Sequence, residues 1–228
     1  GANMTIAYFL EIRTAPDGTA LHSALADKLI PDLLAQPETP RICLYAPEQA
    51  EDPYTQDENP PAATMQIDTA SVEDLETILK TSEFKAILDA GKGGEIACEA
   101  FETIDYAVAG EESPKPRTAP LSFNVRYYRP VTDEAAFNEF YLTHHPQILT
   151  FLPEIRNVLC YTPVEWTDDH NIPPSDCFLG NEVVFDSLYS FNAAMASDVR
   201  HELRRDYNSF PVRPGPNTHY ATLRQDFE

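Results

Sequence analysis

The sequence is poor in basic residues, with 16 Lys and Arg against 37 Asp and Glu in 228 residues. The formal net charge of −21 argues against nucleic acid or an anionic membrane as a partner, because both require a basic surface. Cysteine is also scarce, with four residues at positions 43, 98, 160 and 177 and no Cys-x-x-Cys pair. Buried, reduced thiols fit this pattern best, which predicts a cytoplasmic protein.

Several segments and motifs are missing from the sequence. No apolar run approaches the length of a membrane span, and the first residues lack the basic and apolar regions of a signal peptide. There is no glycine-rich phosphate loop and no Gly-x-Ser-x-Gly motif. We therefore expect neither a nucleic acid nor a membrane as a partner.

What the sequence does contain is one pattern that occurs twice, about 116 positions apart. Residues 8–13 and 37–45 return as residues 124–129 and 153–161, each time with an amphipathic stretch between them. A period near half the chain indicates a duplicated unit, because the units of a solenoid are shorter and more numerous. The differences between the copies should therefore show where the chemistry lies.

Hydrophobic periodicity predicts the same order of elements, βαββαβ, in both copies. The predicted strands are 5–12, 41–46, 63–68, 97–109, 121–129, 155–166, 178–186 and 218–227. The first predicted helix ends at residue 35, and the second covers 71–90 with a break near residue 83. The third covers 133–152, and the fourth covers 189–205 with a joint near Ser197. This order is that of the ferredoxin-like fold. We predict an α+β protein in which two ferredoxin-like units pack their antiparallel sheets as a fused dimeric α+β barrel.

The predicted division places a first unit at 4–110, a linker at 111–120 and a second unit at 121–228. The linker is rich in proline and charge. The loops 47–61 and 167–176 are acidic and are expected to be exposed. Because one chain would hold both units, a monomeric pseudo-dimer and a homodimer both fit this organisation.

The first helix of the second copy carries the main candidate for catalysis. Apolar residues spaced by three and four, including Phe140, Tyr141 and Ile148, predict that His144 lies in the apolar stripe and that His145 points elsewhere. Apolar surroundings favour the neutral imidazole, which a general base requires. The alternative is a core histidine with a purely structural hydrogen bond.

Comparison with the first copy separates the scaffold from the chemistry. Pro146 should bend the helix and free a backbone carbonyl near residue 142, and Pro31 lies at nearly the same place in the first copy. The position that answers His144 is Lys28 or Leu29, depending on whether the strand or the proline sets the offset. The first copy therefore lacks the histidine.

His144-x-Pro146, followed by Leu-Pro-Glu-Ile-Arg at 152–156, resembles the helix-to-strand passage of the EthD family of dimeric α/β-barrel proteins. Residues 181–188 and 206–210 are similar to later segments of that family, and the resemblance covers 121–228. Where the family usually has glycine after the proline, this chain has Glu154. The resemblance implies a paired ferredoxin-like fold, small-molecule chemistry without a bound organic cofactor, and a functional role for His144.

Other side chains complete the predicted site. Tyr127 and Tyr141 are candidate hydrogen-bond donors to the oxygen of an enolate or phenolate. The candidate substrate-binding residues are His219, Arg126, Phe123 and Phe140, with Arg126 suited to a carboxylate. Core tyrosines and solvated arginines are common in proteins, so a purely structural role remains the alternative for each.

EthD relatives are associated with ether degradation, with methylmuconolactone isomerisation, and with oxygenation or dehydration of aromatic polyketides. We therefore expect an EthD-like enzyme that performs cofactor-independent acid/base chemistry of the isomerase, dehydratase or oxygenase type on an aromatic or lactone-like substrate. One rival hypothesis is a non-catalytic ligand-binding or stress-response barrel. Another is a haem-binding barrel with His144 as the axial ligand. No metal site is expected, because adjacent histidines point about 100° apart on a helix.

Overall fold

The computed structural model describes residues 5–39, 41–48 and 59–228. In these ranges eight strands form one closed antiparallel barrel. The strands are β1 (Thr5–Ile12), β2 (Arg41–Pro47), β3 (Ala63–Thr69), β4 (Ile96–Tyr106), β5 (Leu121–Tyr128), β6 (Asn157–Pro163), β7 (Cys177–Phe185) and β8 (Asn217–Phe227). The helices are α1 (Gly18–Ala24), α2 (Ile30–Leu34), α3 (Val72–Leu79), α4 (Ser82–Ala90), α5 (Glu134–Leu149), α6 (Leu188–Met195) and α7 (Val199–Tyr207).

The strand order around the barrel is β1-β3-β2-β8-β5-β7-β6-β4. The two halves of the chain join at β2 with β8 and at β4 with β6, and every pair is antiparallel. The predicted α+β class and the barrel are therefore confirmed. Of the predicted loop 47–61, residues 49–58 lie outside the described ranges. No helix in the described part of the chain is both long and apolar enough to cross a membrane.

The helix starts repeat between the halves. Asp17 and Asp133 each accept a hydrogen bond at 3.0 Å from the backbone N–H three residues further on. Ser71 and Ser187 do the same at 3.1 Å. Such N-caps satisfy backbone donors that have no partner within the helix. Both pairs are 116 residues apart, so the repeat extends to the residues that begin the helices.

A π-helical turn at Leu25–Leu29 joins α1 to α2. The first half has one more residue between its helix cap and its proline, Asp17 to Pro31, than the second half has from Asp133 to Pro146. A π turn absorbs one extra residue in a helix. This insertion is why the offset from the strand and the offset from the proline disagreed by one position.

The strand part of the predicted repeat is one residue out of phase. Tyr8 packs in the core under the helices, whereas Asn124, its predicted counterpart, bonds to Thr222 inside the barrel. Tyr8 pairs with Ile67 in the sheet, as Phe123 pairs with Val183. Because successive side chains in a strand point to opposite faces, Tyr8 and Phe123 are the equivalent residues.

The core of the first half is covered by the loop between β6 and β7. Trp166 lies edge-on to Tyr8, with ring centroids 6.2 Å apart. His170 packs against Phe84, and its Nε2 lies 2.5 Å from the carbonyl oxygen of Leu79. The acidic loop predicted at 167–176 has six exposed residues and no buried one. It is nevertheless held to the other half of the chain by an aromatic contact and by hydrogen bonds.

The barrel interior contains a buried ion pair that involves the predicted linker. Arg117, from segment 111–120, lies with its Nη1 2.6 Å from Oε1 of Glu182, and both side chains are almost fully buried. The Glu182 carboxylate also accepts hydrogen bonds from Tyr161 at 2.6 Å and from Ser122 at 2.5 Å. One residue of the predicted linker, Arg117, is thus part of the core, while most of the segment is exposed.

Burial alone would raise the pKa of Glu182, but the charge of Arg117 and the hydrogen bonds lower the pKa to about 2. The first half has an amide in the same place: Gln66, 116 residues before Glu182, lies 2.6 Å from the hydroxyl of Tyr45. Glu182 of the second half therefore pairs with the buried guanidinium of Arg117, whereas its counterpart in the first half, Gln66, is neutral.

We expect Arg117→Met to destabilise the protein by about 3–5 kcal/mol at neutral pH, because it leaves a buried carboxylate without its cation. Urea denaturation measures this loss. Lys115→Met is the matched control, since Lys115 is exposed in the same segment and the charge change is equal. It should cost less than about 0.5 kcal/mol.

The pH dependence provides a second check on this substitution. The folded-state pKa of Glu182, about 2, lies below the ordinary value of about 4.3 for a glutamate in an unfolded chain. The carboxylate therefore contributes stability above the unfolded pKa and loses it as pH falls through that window. The effect of Arg117→Met should shrink in acid. Equal losses for Arg117→Met and Lys115→Met would contradict the assignment.

Candidate active site

A cavity of about 290 Å³ lies between the barrel wall and the helices of the second half. Strands β5, β7 and β8 form one side, and helices α5, α6 and α7 form the other. The described residues that line it are Phe123, Val125, Tyr127, Tyr141, His145, Leu149, Asn181, Val183, Met195, Arg200, Leu203, Arg204, Tyr207 and His219. The wall is thus mainly apolar, with a few polar groups, as in small-molecule sites generally.

The two adjacent histidines of α5 lie differently from the prediction. His144 is exposed, its ring stacks on Phe140 at 4.3 Å, and its Nδ1 lies 2.7 Å from the Phe140 carbonyl oxygen. His145 lines the cavity instead. The prediction was wrong because the buried stripe of α5 runs through Phe137, Tyr141 and His145, at a spacing of four.

The predicted effect of Pro146 is visible in the hydrogen bonds of α5. Proline has no N–H, so the carbonyl four residues earlier, that of Leu142, has no helical partner. Its oxygen instead accepts from Nε2 of Gln147 at 2.9 Å and from the hydroxyl of Tyr106 at 3.4 Å. The freed carbonyl is satisfied locally and does not serve the cavity.

His145 forms a dyad with Asp206 near the end of α7. Its Nδ1 lies 2.9 Å from Oδ2 of Asp206, and the two side chains are only 12% and 10% exposed. Burial lowers the pKa of His145, while the hydrogen bond and the charge of Asp206 act in the opposite direction. A carboxylate only accepts, so Nδ1 carries the proton of the neutral imidazole and Nε2 keeps its lone pair.

Two tyrosines stand beside this histidine. Tyr127 and Tyr141 both line the cavity, and their ring centroids are 5.5 Å apart. Burial raises the pKa of both phenols, so both keep their protons near neutral pH. Each phenol therefore has a hydroxyl proton that it can donate to a ligand. The guanidinium of Arg213 lies 4.9 Å from the centre of the Tyr127 ring.

Two of the four predicted substrate-binding residues line the cavity. Phe123 does so while stacking on Phe191, with ring centroids 4.6 Å apart. His219 also lines it, 6.1 Å from the Phe123 ring, with its Nε2 3.3 Å from Nδ2 of Asn217. Both are therefore close enough to contact a ligand there.

The other two predicted substrate-binding residues lie elsewhere. Arg126 is buried inside the barrel, with its guanidinium 4.7 Å from the Phe9 ring centre and 5.4 Å from that of Tyr161. It points away from the cavity because neighbouring side chains of a strand alternate between faces. Phe140 packs on His144 and Phe210 and is absent from the cavity wall among the described residues.

The first half fills the corresponding space with apolar side chains. Counted from the prolines, Ile30 answers His145, and it is fully buried. Counted from the serine caps, Phe84 and Leu88 answer Arg200 and Arg204. Phe84 is also fully buried. The polar groups that line the cavity are therefore specific to the second half.

The predicted site residues did not include Asp206 or any of the cavity-lining residues of α7. Residues 206–210 were noted only as part of a family-like segment. The useful signal would have been the contrast between the copies on α4 and α7, where Phe84 and Leu88 become Arg200 and Arg204. In the described part of the chain, no three His, Cys, Asp or Glu side chains cluster in the manner of a metal site.

The sequence matches no protein-family model and no curated protein sequence. Its structure is similar to that of an anthrone oxidase-like protein, with a TM-score of 0.62 at 15% identity, covering 98% of this chain and 93% of that one. A candidate monooxygenase from Lactobacillus acidophilus NCFM has a TM-score of 0.58 at 10% identity, with 97% and 94% covered. An EthD family protein from Bacillus halodurans C-125 is 22% identical, with a TM-score of 0.35, covering 48% of this chain and 97% of that one.

The first two similarities extend over nearly the whole chain. At such low identity they show the fold and nothing finer. The fold is therefore an α+β barrel like that of these proteins, and the second half carries a cavity beside a buried His–Asp pair.

We expect the pKa of His145, measured by NMR titration, to lie below the ordinary value of about 6.5, because burial disfavours the charged ring. Asp206→Asn should lower this pKa further, since it removes the charge that favours protonation. Asp198→Asn is the matched control, as Asp198 is exposed beside the first turn of α7 and should leave the titration unchanged. A pKa of His145 above 6.5 would contradict this description of its surroundings.

Proposed function

We propose that the protein is an enzyme that removes a proton from an activated carbon of an aromatic or lactone-like substrate in this cavity. His145 takes the role of general base that the sequence analysis assigned to His144. The observation that carries the proposal is the His145–Asp206 dyad in the wall of a largely apolar cavity. A neutral, oriented imidazole beside such a space is what proton abstraction near neutral pH requires.

The proposed step balances within the site. The lone pair on Nε2 of His145 accepts the proton as the C–H bond of the substrate breaks. The electron pair of that bond moves into the conjugated system and collects on an oxygen, as an enolate or phenolate. The hydroxyls of Tyr127 and Tyr141 donate hydrogen bonds that stabilise that oxygen, and the Asp206 carboxylate stabilises the imidazolium.

The names of the structural neighbours are compatible with this chemistry. They include an anthrone oxidase-like protein and a candidate monooxygenase. These names favour the oxidoreductase class without specifying a substrate. Proton removal is a common first step for isomerisation, for dehydration and for oxidation of a carbanion by O₂. The substrate decides which of these follows, and the step at His145 needs no bound organic cofactor.

We also infer that the barrel consists of two fused ferredoxin-like units, 4–110 and 121–228, connected through 111–120. The strand orders β4-β1-β3-β2 and β8-β5-β7-β6 within the halves support this, as do the paired caps of the helices. One chain then supplies both units of a barrel, which favours a monomeric pseudo-dimer over an obligate homodimer.

Two rival functions predict different observations. A ligand-carrying or stress-response barrel would bind an aromatic compound in the cavity without turnover. A haem barrel would show a Soret band in the purified protein, and its axial ligand would be His145 or His219, which line the cavity, since His144 is exposed. The acid/base enzyme is favoured over the carrier because a buried carboxylate orients the imidazole.

We expect His145→Gln to slow deprotonation by about 10²–10⁴-fold, the usual contribution of a general base, while the fold is retained. Anthrone serves as the carbon acid, and the assay is exchange of its methylene hydrogens for deuterium in D₂O without oxygen. The matched control is His144→Gln, which removes the adjacent, exposed histidine and should leave the exchange rate unchanged. Loss of exchange in His144→Gln, or full exchange in His145→Gln, would contradict the assignment.

We expect Tyr127→Phe and Tyr141→Phe each to reduce kcat by about tenfold to a thousandfold with a smaller change in KM, because the lost hydrogen bond strengthens as charge develops on the substrate oxygen. Tyr106→Phe is the control, since Tyr106 donates to a backbone carbonyl outside the cavity wall. Steady-state kinetics with the same carbon acid measures both parameters. An increase in KM alone would show that the tyrosines only bind the substrate.

A further inference from the structure

The charges that line the cavity are opposite in sign to those of the protein as a whole. The chain has 37 acidic and 16 basic residues, a ratio above two to one. Among the described residues of the cavity wall, however, the charged side chains are two arginines, Arg200 and Arg204, and no carboxylate. The nearby carboxylate of Asp206 is already bonded to His145. A wall of this composition favours an anionic ligand.

Arg204 is the residue best placed to bind such a ligand. It is exposed to solvent and also lines the cavity, so the residue lies where the cavity opens. No described residue gives this guanidinium an ion pair or a hydrogen bond. An arginine in this position has five N–H donors in a planar fork that matches a carboxylate.

Neighbouring arginines increase the positive potential at this opening. Arg200, one turn earlier on α7, is half-buried and donates to the carbonyl oxygen of Met195 at 3.4 Å. Arg213 lies over the rings of Tyr127 and Tyr207 and donates to the Tyr207 hydroxyl at 2.7 Å. Charges close to a partly enclosed site are screened by salt less than charges on an open surface.

The first half shows that these arginines are not needed by the scaffold. The positions that answer Arg200 and Arg204 are Phe84 and Leu88, which pack on the apolar core of that half. In the second half, arginines take the place of these apolar side chains. The exchange leaves space under the helices and adds positive charge beside that space. A role in ligand binding accounts for both changes together.

We propose that the ligand of this cavity is an aromatic compound with an anionic oxygen, a carboxylate or an ionised phenol, which binds the guanidinium of Arg204. This inference rests on the proposed function for the location of the substrate, and it adds the chemical class. The aromatic part lies against Phe123 and Val125, the reacting carbon faces His145, and the anionic group lies at the opening beside α7. Binding by Arg204 orients the ligand within the cavity.

The experiment compares the affinity of acid and amide pairs of equal shape by isothermal titration calorimetry at low salt. The probes are benzoate with benzamide, 2-naphthoate with 2-naphthamide, and the carboxylate with the carboxamide of a three-ring aromatic compound. In the wild-type protein we expect at least one acid to bind about tenfold more tightly than its amide, the usual effect of a charge-assisted hydrogen bond. Added salt should reduce this preference.

The variants are Arg204→Gln and its matched control Arg205→Gln, which removes the same charge from the next, exposed residue of α7. Arg204→Gln should remove the preference for the acid and leave amide binding unchanged, whereas Arg205→Gln should keep the preference. Retention of the preference in Arg204→Gln would overturn the role of Arg204.

The remaining outcomes separate this inference from the proposed function. Equal binding of acid and amide by the wild-type protein would overturn the anionic class and leave an aromatic-binding cavity beside His145 intact. If no acid and no amide of any size binds, then both this inference and the aromatic substrate of the proposed function are wrong. An acid preference that persists in His145→Gln would show that anion binding is independent of the base.

Discussion

The buried ion pair between Arg117 and Glu182 is the constraint on which much of the structure depends. Arg117 comes from the segment that joins the halves, and its partner lies on β7 inside the barrel, 2.6 Å away. With Glu182 held inward, the alternation of a strand places Asn181 and Val183 on the outer face, where they form part of the cavity wall. An interaction in the interior thus fixes which side chains face the candidate substrate.

Duplication explains why only one half has a cavity. Both halves have the same caps, a proline in the first helix, and a tyrosine paired with Gln66 or Glu182 inside the barrel. In the first half, Ile30 and Phe84 fill the space under the helices, and the β6–β7 loop covers it with Trp166 and His170. The first half therefore has a filled core, whereas the second half has a cavity and a buried His–Asp dyad.

The sequence predicted the class, the barrel and most element bounds, because the apolar periodicity and the helix caps are local signals. It placed the wrong histidine in the buried stripe, because the apolar residues of α5 include Phe140, which lies outside the buried face, and these led the predicted stripe to His144. Arg117 and Asp206 could not be predicted, since their partners are distant in sequence: Glu182 lies across the barrel, and His145 lies on another helix.

A crystal structure with an unreactive aromatic ketone bound would test the central claim most directly. The account predicts that the ligand lies in the cavity of the second half, with its reacting carbon beside Nε2 of His145 and its oxygen within hydrogen-bonding distance of Tyr127 or Tyr141. A ligand bound elsewhere, or a cavity filled by protein side chains with Nε2 of His145 bonded to the backbone, would contradict it. Such a result would leave the His145–Asp206 pair as a structural contact between α5 and α7.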